Sequence, residues 1–202
     1  MVAQKFDVIP LYFCTHPYTS KEAFTLTINT LGKLKKVTGF KKAIICPWSK
    51  ILDAITHRLK HREYTCLICR RFMLLAAELV CEREEGSGIV TGESLGQKAS
   101  QTLDNLAAIS RGIGTPILRP LLGFDKLEIE RLSKKLGLWQ AHHAGGCSAP
   151  PKRSRTRAKA SEIDELLGQL DVAGLLEKCV NGLVEVRTFM NPEALLKKFK
   201  SV

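Results

Sequence analysis

An α/β fold, a parallel sheet with helices on both faces, is what this sequence predicts, and three observations predict it. Short apolar runs recur along the chain, longer amphipathic stretches separate them, and the runs end at Gly, Pro or small polar residues. Strands alternating with helices form parallel sheets, because each crossover helix must pack back on the sheet it left. Residues 8–13 (Val-Ile-Pro-Leu-Tyr-Phe) read as the first strand, and residues 20–36 as a helix opened by Ser20. Residues 41–46 form the second strand, stopped at Pro47, and a helix opening at Ser49 carries Ile51, Leu52 and Ile55 on one face. A long helix covers residues 65–85. A third strand at residues 89–91 runs into Gly92, with a helix following to Ile109. Residues 116–118 are the fourth strand and residues 125–136 a helix.

Beyond Gly137 the character changes. Residues 142–147 (His-His-Ala-Gly-Gly-Cys) read as a loop, and residues 149–159 carry two prolines and five basic residues. We place a boundary here: residues 1–150 form a nucleotide-binding domain, and residues 151–202 a basic linker with a small α+β extension. The extension holds a helix at 161–179, a strand at 183–187 and a helix at 192–199.

The 202 residues, 45% hydrophobic and 25% charged, suit a domain with a sizeable core. Thirty-one Lys and Arg against 20 Asp and Glu leave a charge of +11, which favours a polyanionic partner or a solvated basic surface. No apolar stretch approaches the ~20 residues of a membrane span. The N-terminus lacks a signal peptide's apolar run, so a cytoplasmic protein with reduced thiols is expected.

Chemistry concentrates at three places. Residues 91–102 (Thr-Gly-Glu-Ser-Leu-Gly-Gln-Lys-Ala-Ser-Gln-Thr) follow a strand, where open α/β sheets bind ligands. Gly92 lets a ligand approach the backbone, and the amides beyond it suit anionic groups. Cys66 and Cys69 sit one helical turn apart, and Cys147 lies in the glycine loop near His142 and His143. An iron-sulfur cluster on Cys66, Cys69 and Cys147, a zinc site completed by a histidine, a redox or persulfide pair, and plain buried thiols all fit this set. The basic run 152–159 follows and can hold RNA phosphates or serve as a solvated linker. Trp48 and Trp139 are candidates for stacking on bases or for packing in the core.

Residues 91–102, then Asp104-Asn105-Leu106, resemble the signature of the tRNA 4-thiouridine synthetase and thiamine-biosynthesis sulfurtransferase family, whose nucleotide-binding domain is of the PP-loop type. Residues 64–73 (Tyr-Thr-Cys-Leu-Ile-Cys-Arg-Arg-Phe-Met), residues 117–129, and the opening Tyr12-Phe13 with residues 17–20 match in order. The resemblance covers about residues 8–156. It implies ATP with Mg as cofactor, adenylation of a tRNA uridine, and replacement of the activated oxygen by sulfur from a donor protein or sulfide. It further implies nucleotide contacts from Tyr12, Phe13, Arg70, Gly92 and Gln101, with Cys66, Cys69 and Cys147 handling sulfur or a three-cysteine cluster. Asp125, Lys126 and Glu128 match a family motif, although a helix start explains Asp125 as well.

The family's Ser-Gly-Gly-x-Asp-Ser phosphate loop is not found in the sequence. The expectation is therefore a sulfurtransferase that needs a separately encoded loop-bearing fragment or a homodimer, or a non-catalytic cluster-bearing or RNA-binding subunit of a tRNA thiolation system.

Overall fold

The computed structural model describes residues 6–140, 144–151, 153–189 and 191–199. Its fold is α/β, in the order β1 (Leu11–Cys14), α1 (Lys21–Thr38), β2 (Ala43–Pro47), α2 (Ser49–Arg58), a single 3-10 turn (Arg62–Tyr64), α3 (Thr65–Arg83) and β3 (Ile89–Val90). Then come α4 (Leu103–Ser110), β4 (Ile117–Leu118), α5 (Lys126–Lys135), α6 (Ala160–Leu167), α7 (Val172–Asn181), β5 (Val184–Val186) and α8 (Pro192–Lys198). The chain divides into two compact units. The first holds residues 1–49, 130–148 and 181–202, the second residues 50–129 and 149–180.

In the first unit β2 is the central strand, and Ala43, Ile44, Ile45 and Cys46 are all buried. A near-continuous apolar run is what a strand covered on both faces requires. β1 pairs with it in parallel, with Tyr12 opposite Ile45, and β5 pairs antiparallel, with Glu185 opposite Ile44. The C-terminal strand thus joins the first sheet, an antiparallel edge that the alternating strand-helix pattern does not announce. α1 starts where Ser20 Oγ accepts the Ala23 amide at 3.1 Å. Phe24, Ile28 and Leu31 on α1 share a core with Cys14, Ile45, Val186 and Leu196.

Gly39 ends α1 at φ 71° and returns its N–H to the Lys35 carbonyl. Only a residue without Cβ takes that left-handed angle without cost. We expect Gly39→Ala to lower the denaturation free energy by about 1 kcal/mol, read as a shifted urea midpoint at constant slope.

The second unit is built on α3, with α4 and α6 packed against it and against each other. Phe72, Ile68, Ile109 and Ile163 are fully buried on these helices. Glu78 on α3 accepts the amides of Gly114 and Thr115 at 2.7 and 2.9 Å, which sets the approach to β4. β3 and β4 form a two-stranded parallel sheet, Ile89 opposite Ile117 and Val90 opposite Leu118.

Two helical expectations are corrected. Residues 92–101 are turns, not the start of a helix: Gly96 takes φ 75° and donates to the Gln101 carbonyl at 3.0 Å. Small polar residues compete for backbone hydrogen bonds there, so α4 begins at Leu103, after Thr102 caps it by accepting the Asn105 amide. The helix expected over residues 161–179 is two helices. Gly168 ends the first, and Asp171 Oδ1 accepts the Gly174 amide at 3.0 Å to open the second.

Candidate functional site

β3 and β4 run parallel and end together, so the residues just past them, 91–93 and Arg119, are brought side by side. Thr91 continues the pairing by donating its amide to the Leu118 carbonyl at 3.0 Å. Glu93 then turns inward and is 4% exposed. Its Oε1 accepts from Arg70 Nη2, and its Oε2 accepts from Arg119 Nε at 2.5 Å and from the Thr91 hydroxyl at 2.8 Å. Arg70 also donates to Ser100 Oγ at 3.3 Å, and Arg119 to Ser110 Oγ at 2.6 Å.

Burial pushes the Glu93 carboxyl up. Arg70, the Thr91 hydroxyl and Arg119 more than offset it, and the acid is held below its ordinary range. The group is two guanidinium cations around one carboxylate, a surplus of one positive charge at the carboxyl end of a parallel strand pair. Such a cluster keeps donors aimed without solvent and suits an anion or a polarised oxygen.

Of the nucleotide contacts expected from the sequence, Arg70, Gly92 and Gln101 lie in the second unit. Arg70 reaches the turn after β3, with Gly92 beside Glu93 and Gln101 beside Ser100. Gly92 has open space where a Cβ would stand. Gln101 Oε1 is buried without a hydrogen-bond partner among the described residues. Open backbone and an unpaired acceptor both fit a nucleotide here.

Tyr12 and Phe13 belong to the first unit. The Tyr12 ring packs 6.0 Å from Phe24, and burial together with the Cys14 thiol pushes its hydroxyl up to about 12 against an opposing hydrogen bond with Thr27. Phe13 meets Trp48 edge-on at 4.5 Å. Trp48 is 0% exposed, so it is core and offers no face to a base. Trp139 lies under the Lys134 ammonium, 4.9 Å from the ring centre. Arg71, beside Arg70, turns instead to α4. It is buried and donates to the Ile109 carbonyl at 3.1 Å, clamping α3 to α4. Asp125 and Glu128 cap α5 reciprocally at 2.8 and 2.7 Å, which accounts for both.

Cys66 and Cys69 are on α3 in the second unit, and Cys147 is in the first. The Cys147 loop is tied down by the Ser148 amide, which donates to the Tyr18 carbonyl at 2.8 Å, and by Ser20 Oγ on the Ala144 carbonyl at 3.2 Å. Cys14, Cys66, Cys69, Cys81 and Cys147 are not in disulfides; the expectation of reduced cysteines is not met at Cys46 and Cys179, which are disulfide-bonded. Among the described residues no group of three or more His, Cys, Asp and Glu side chains is arranged to hold a metal ion. His142 and His143, and Lys152 of the basic run, lie outside the described residues. The iron-sulfur and zinc readings therefore gain no ligand set from the geometry and enter no step below.

Sequence reasoning missed Glu93 and Arg119. The signal was a carboxylate after the strand-ending glycine with an arginine just past the next parallel strand.

The model of the ThiI thiamine biosynthesis protein family matches residues 1–172. The chain belongs to that family. Family relatives named probable tRNA sulfurtransferase are similar to it: 36% identical over 179 residues in Geobacillus kaustophilus, covering 87% of this chain and 44% of the relative. In Bacillus velezensis the figures are 34% over 192 residues, 93% and 48%. A solved 4-thiouridine synthetase, in complex with RNA and with bound ATP, superposes with a TM-score of 0.79 at 28% identity, covering 88% of this chain and 48% of that one. The chain thus spans about half the length of these family members. No helix among the described residues is long and apolar enough to cross a membrane.

Proposed function

We propose that this chain carries the nucleotide-binding and uridine-activating part of a tRNA sulfurtransferase. The observation that carries the reading is the surplus positive charge of Arg70 and Arg119 around Glu93, beside the open backbone of Gly92. It supports the reading together with the chain's similarity to proteins named probable tRNA sulfurtransferase and to a 4-thiouridine synthetase solved with RNA and bound ATP.

The reaction is adenylation followed by thiolation. A uracil carbonyl oxygen attacks the α-phosphate of MgATP and pyrophosphate leaves. Hydrosulfide, free or delivered by a donor protein, then adds to the activated carbon, and the oxygen departs with AMP. Arg70 supplies a rigid two-pronged donor to a phosphate, and Glu93 holds that fork in place. The Gln101 carbonyl oxygen accepts a donor from the bound nucleotide. Tyr12 and Phe13 are proposed as further nucleotide contacts. When the donor is a protein persulfide, Cys147 in its tethered loop is the proposed sulfur carrier: it takes the donor's outer sulfur as the donor thiol leaves, and its persulfide attacks the activated carbon with loss of AMP. A second thiol, proposed to be Cys66 or Cys69, then attacks the Cys147 sulfur to release the thiocarbonyl and leave a disulfide. The Ser-Gly-Gly-x-Asp-Ser loop that cradles phosphates comes from sequence outside these 202 residues, supplied by a partner fragment.

The test is pyrophosphate release by anaerobically purified protein with MgATP and tRNA lacking 4-thiouridine, alone and with a fragment bearing that loop. Release requiring both substrates, and reduced on the order of tenfold to a hundredfold in Arg70→Ala, supports the proposal. Folded protein that binds no ATP under either condition overturns it.

A further inference from the structure

Residues 153–159 hang along the second unit as a strap with fixed anchors. The Asn105 side chain, 0% exposed, donates to the Arg155 carbonyl at 3.1 Å and accepts the Ala158 amide at 2.9 Å. Thr102 Oγ1 donates to the Thr156 carbonyl at 2.8 Å. The Arg155 amide donates to the Glu63 carbonyl at 2.9 Å, and the Arg155 guanidinium lies 5.6 Å from the centre of the Tyr64 ring. These contacts set the strap directly beside the stretch that joins α2 to α3.

That stretch is itself basic. Arg58, Lys60 and Arg62 are exposed, as are Arg153, Arg155, Arg157 and Lys159 on the strap. Two stretches some ninety residues apart in sequence, side by side at Arg155 and Glu63, therefore carry seven exposed cations between them. The nearby acids are occupied: Asp104 pairs with Arg157 at 3.0 Å, and Glu63 contacts His61 at 3.3 Å. Glu162 accepts the Lys159 amide at 2.7 Å and lies 3.6 Å from Arg155. Among the described residues no carboxylate lies within ion-pair distance of Arg58, Lys60, Arg62, Arg153 or Lys159.

We infer that this two-segment surface is a docking site for an RNA phosphate backbone, distinct from the Arg70–Glu93–Arg119 cluster. Rigid anchoring matters, because a strap already ordered by Asn105 and Glu63 loses little entropy when phosphates bind. Unpaired cations spaced along two adjoining segments suit a phosphate chain rather than a single anion, and each phosphate neutralised releases counterions. The inference rests on the tRNA reading above for the identity of its RNA.

The experiment measures fluorescence anisotropy of labelled, unmodified tRNA with the full chain between 50 and 200 mM salt. In the triple variant K60Q/R62Q/R153Q, affinity at 100 mM salt falls on the order of tenfold or more, and the log–log salt slope flattens by about 2 to 3. The control K21Q/K33Q/K36Q removes the same charge from α1, and it changes affinity less than threefold. Equal losses in both variants, or no loss in the first, overturn the site, as does polyglutamate binding as tightly as tRNA. Unchanged thermal midpoints exclude misfolding as the cause. Binding lost with the patch, beside folded protein that binds no ATP with or without the loop-bearing fragment, leaves this site standing and sinks the catalytic reading. Intact binding in the patch variant beside intact release does the reverse.

Discussion

Glu93→Gln is expected to destabilise the fold by roughly 3 kcal/mol, at the lower end of what breaking a buried ion pair costs because both guanidinium groups keep some solvent. Arg70 and Arg119 are 22% and 17% exposed, and the substitution leaves two like charges facing each other with no anion between them. A urea titration at neutral pH reads this as a lower midpoint with unchanged slope. The pH dependence identifies the cause. The native Glu93 carboxyl lies below its ordinary value of 4.5, so the unfolded state takes up its proton first as pH falls. Its stabilisation is complete above about 4.5 and is lost as pH drops through the lower native value. The gap between the wild type and Glu93→Gln should therefore narrow below pH 4.5. A gap constant from pH 7 to pH 3 would mean that shape, not charge, makes Glu93 matter.

The second large effect is expected at Asn105. Its side chain donates to the Ala99 carbonyl at 2.9 Å as well as holding Arg155 and Ala158, three hydrogen bonds from a residue with no exposure. Asn105→Ala leaves the Ala158 amide and two carbonyls without their partner, a loss on the order of 3 kcal/mol. The local consequence is more telling. Thr102 and Glu63 still hold Thr156 and Arg155, but the strap between α4 and α6 loosens, and trypsin should cleave after Arg153, Arg155 or Arg157 several-fold faster than in the wild type. If total stability falls while cleavage stays at the wild-type rate, Asn105 supports the helix pair and not the strap.

These two residues show where reading the chain succeeds and where it stops. Ser20 as a cap, the apolar run of β2 and the length of α3 are settled within a few residues by backbone sterics and hydrogen-bonding chemistry, so a linear reading finds them. The same holds for the parallel pairing of β1 with β2 and of β3 with β4, which strand-helix alternation demands. Residues 92–101 and 161–179 look more helical in the sequence than they are in the fold, because Gly96, Gly168 and Asp171 interrupt an otherwise favourable pattern. Arg70 comes from one segment matched by the resemblance and Gly92 and Gln101 from another, and the fold places all three in the second unit.

Tertiary structure alone decided the rest. Glu93 is an ordinary acidic residue in a turn until β3 and β4 end together and place Arg119 against it, 26 positions along the chain. Nor does Asn105 stand out from its helix until a segment 50 residues further on lies across it. Local propensity acts over a turn or two of chain, whereas the charge balance of a buried carboxylate and the partners of a buried amide depend on which distant segments exclude water together. The elements of this protein follow from neighbouring residues; its candidate anion site and its basic strap exist only because the fold closes those distances.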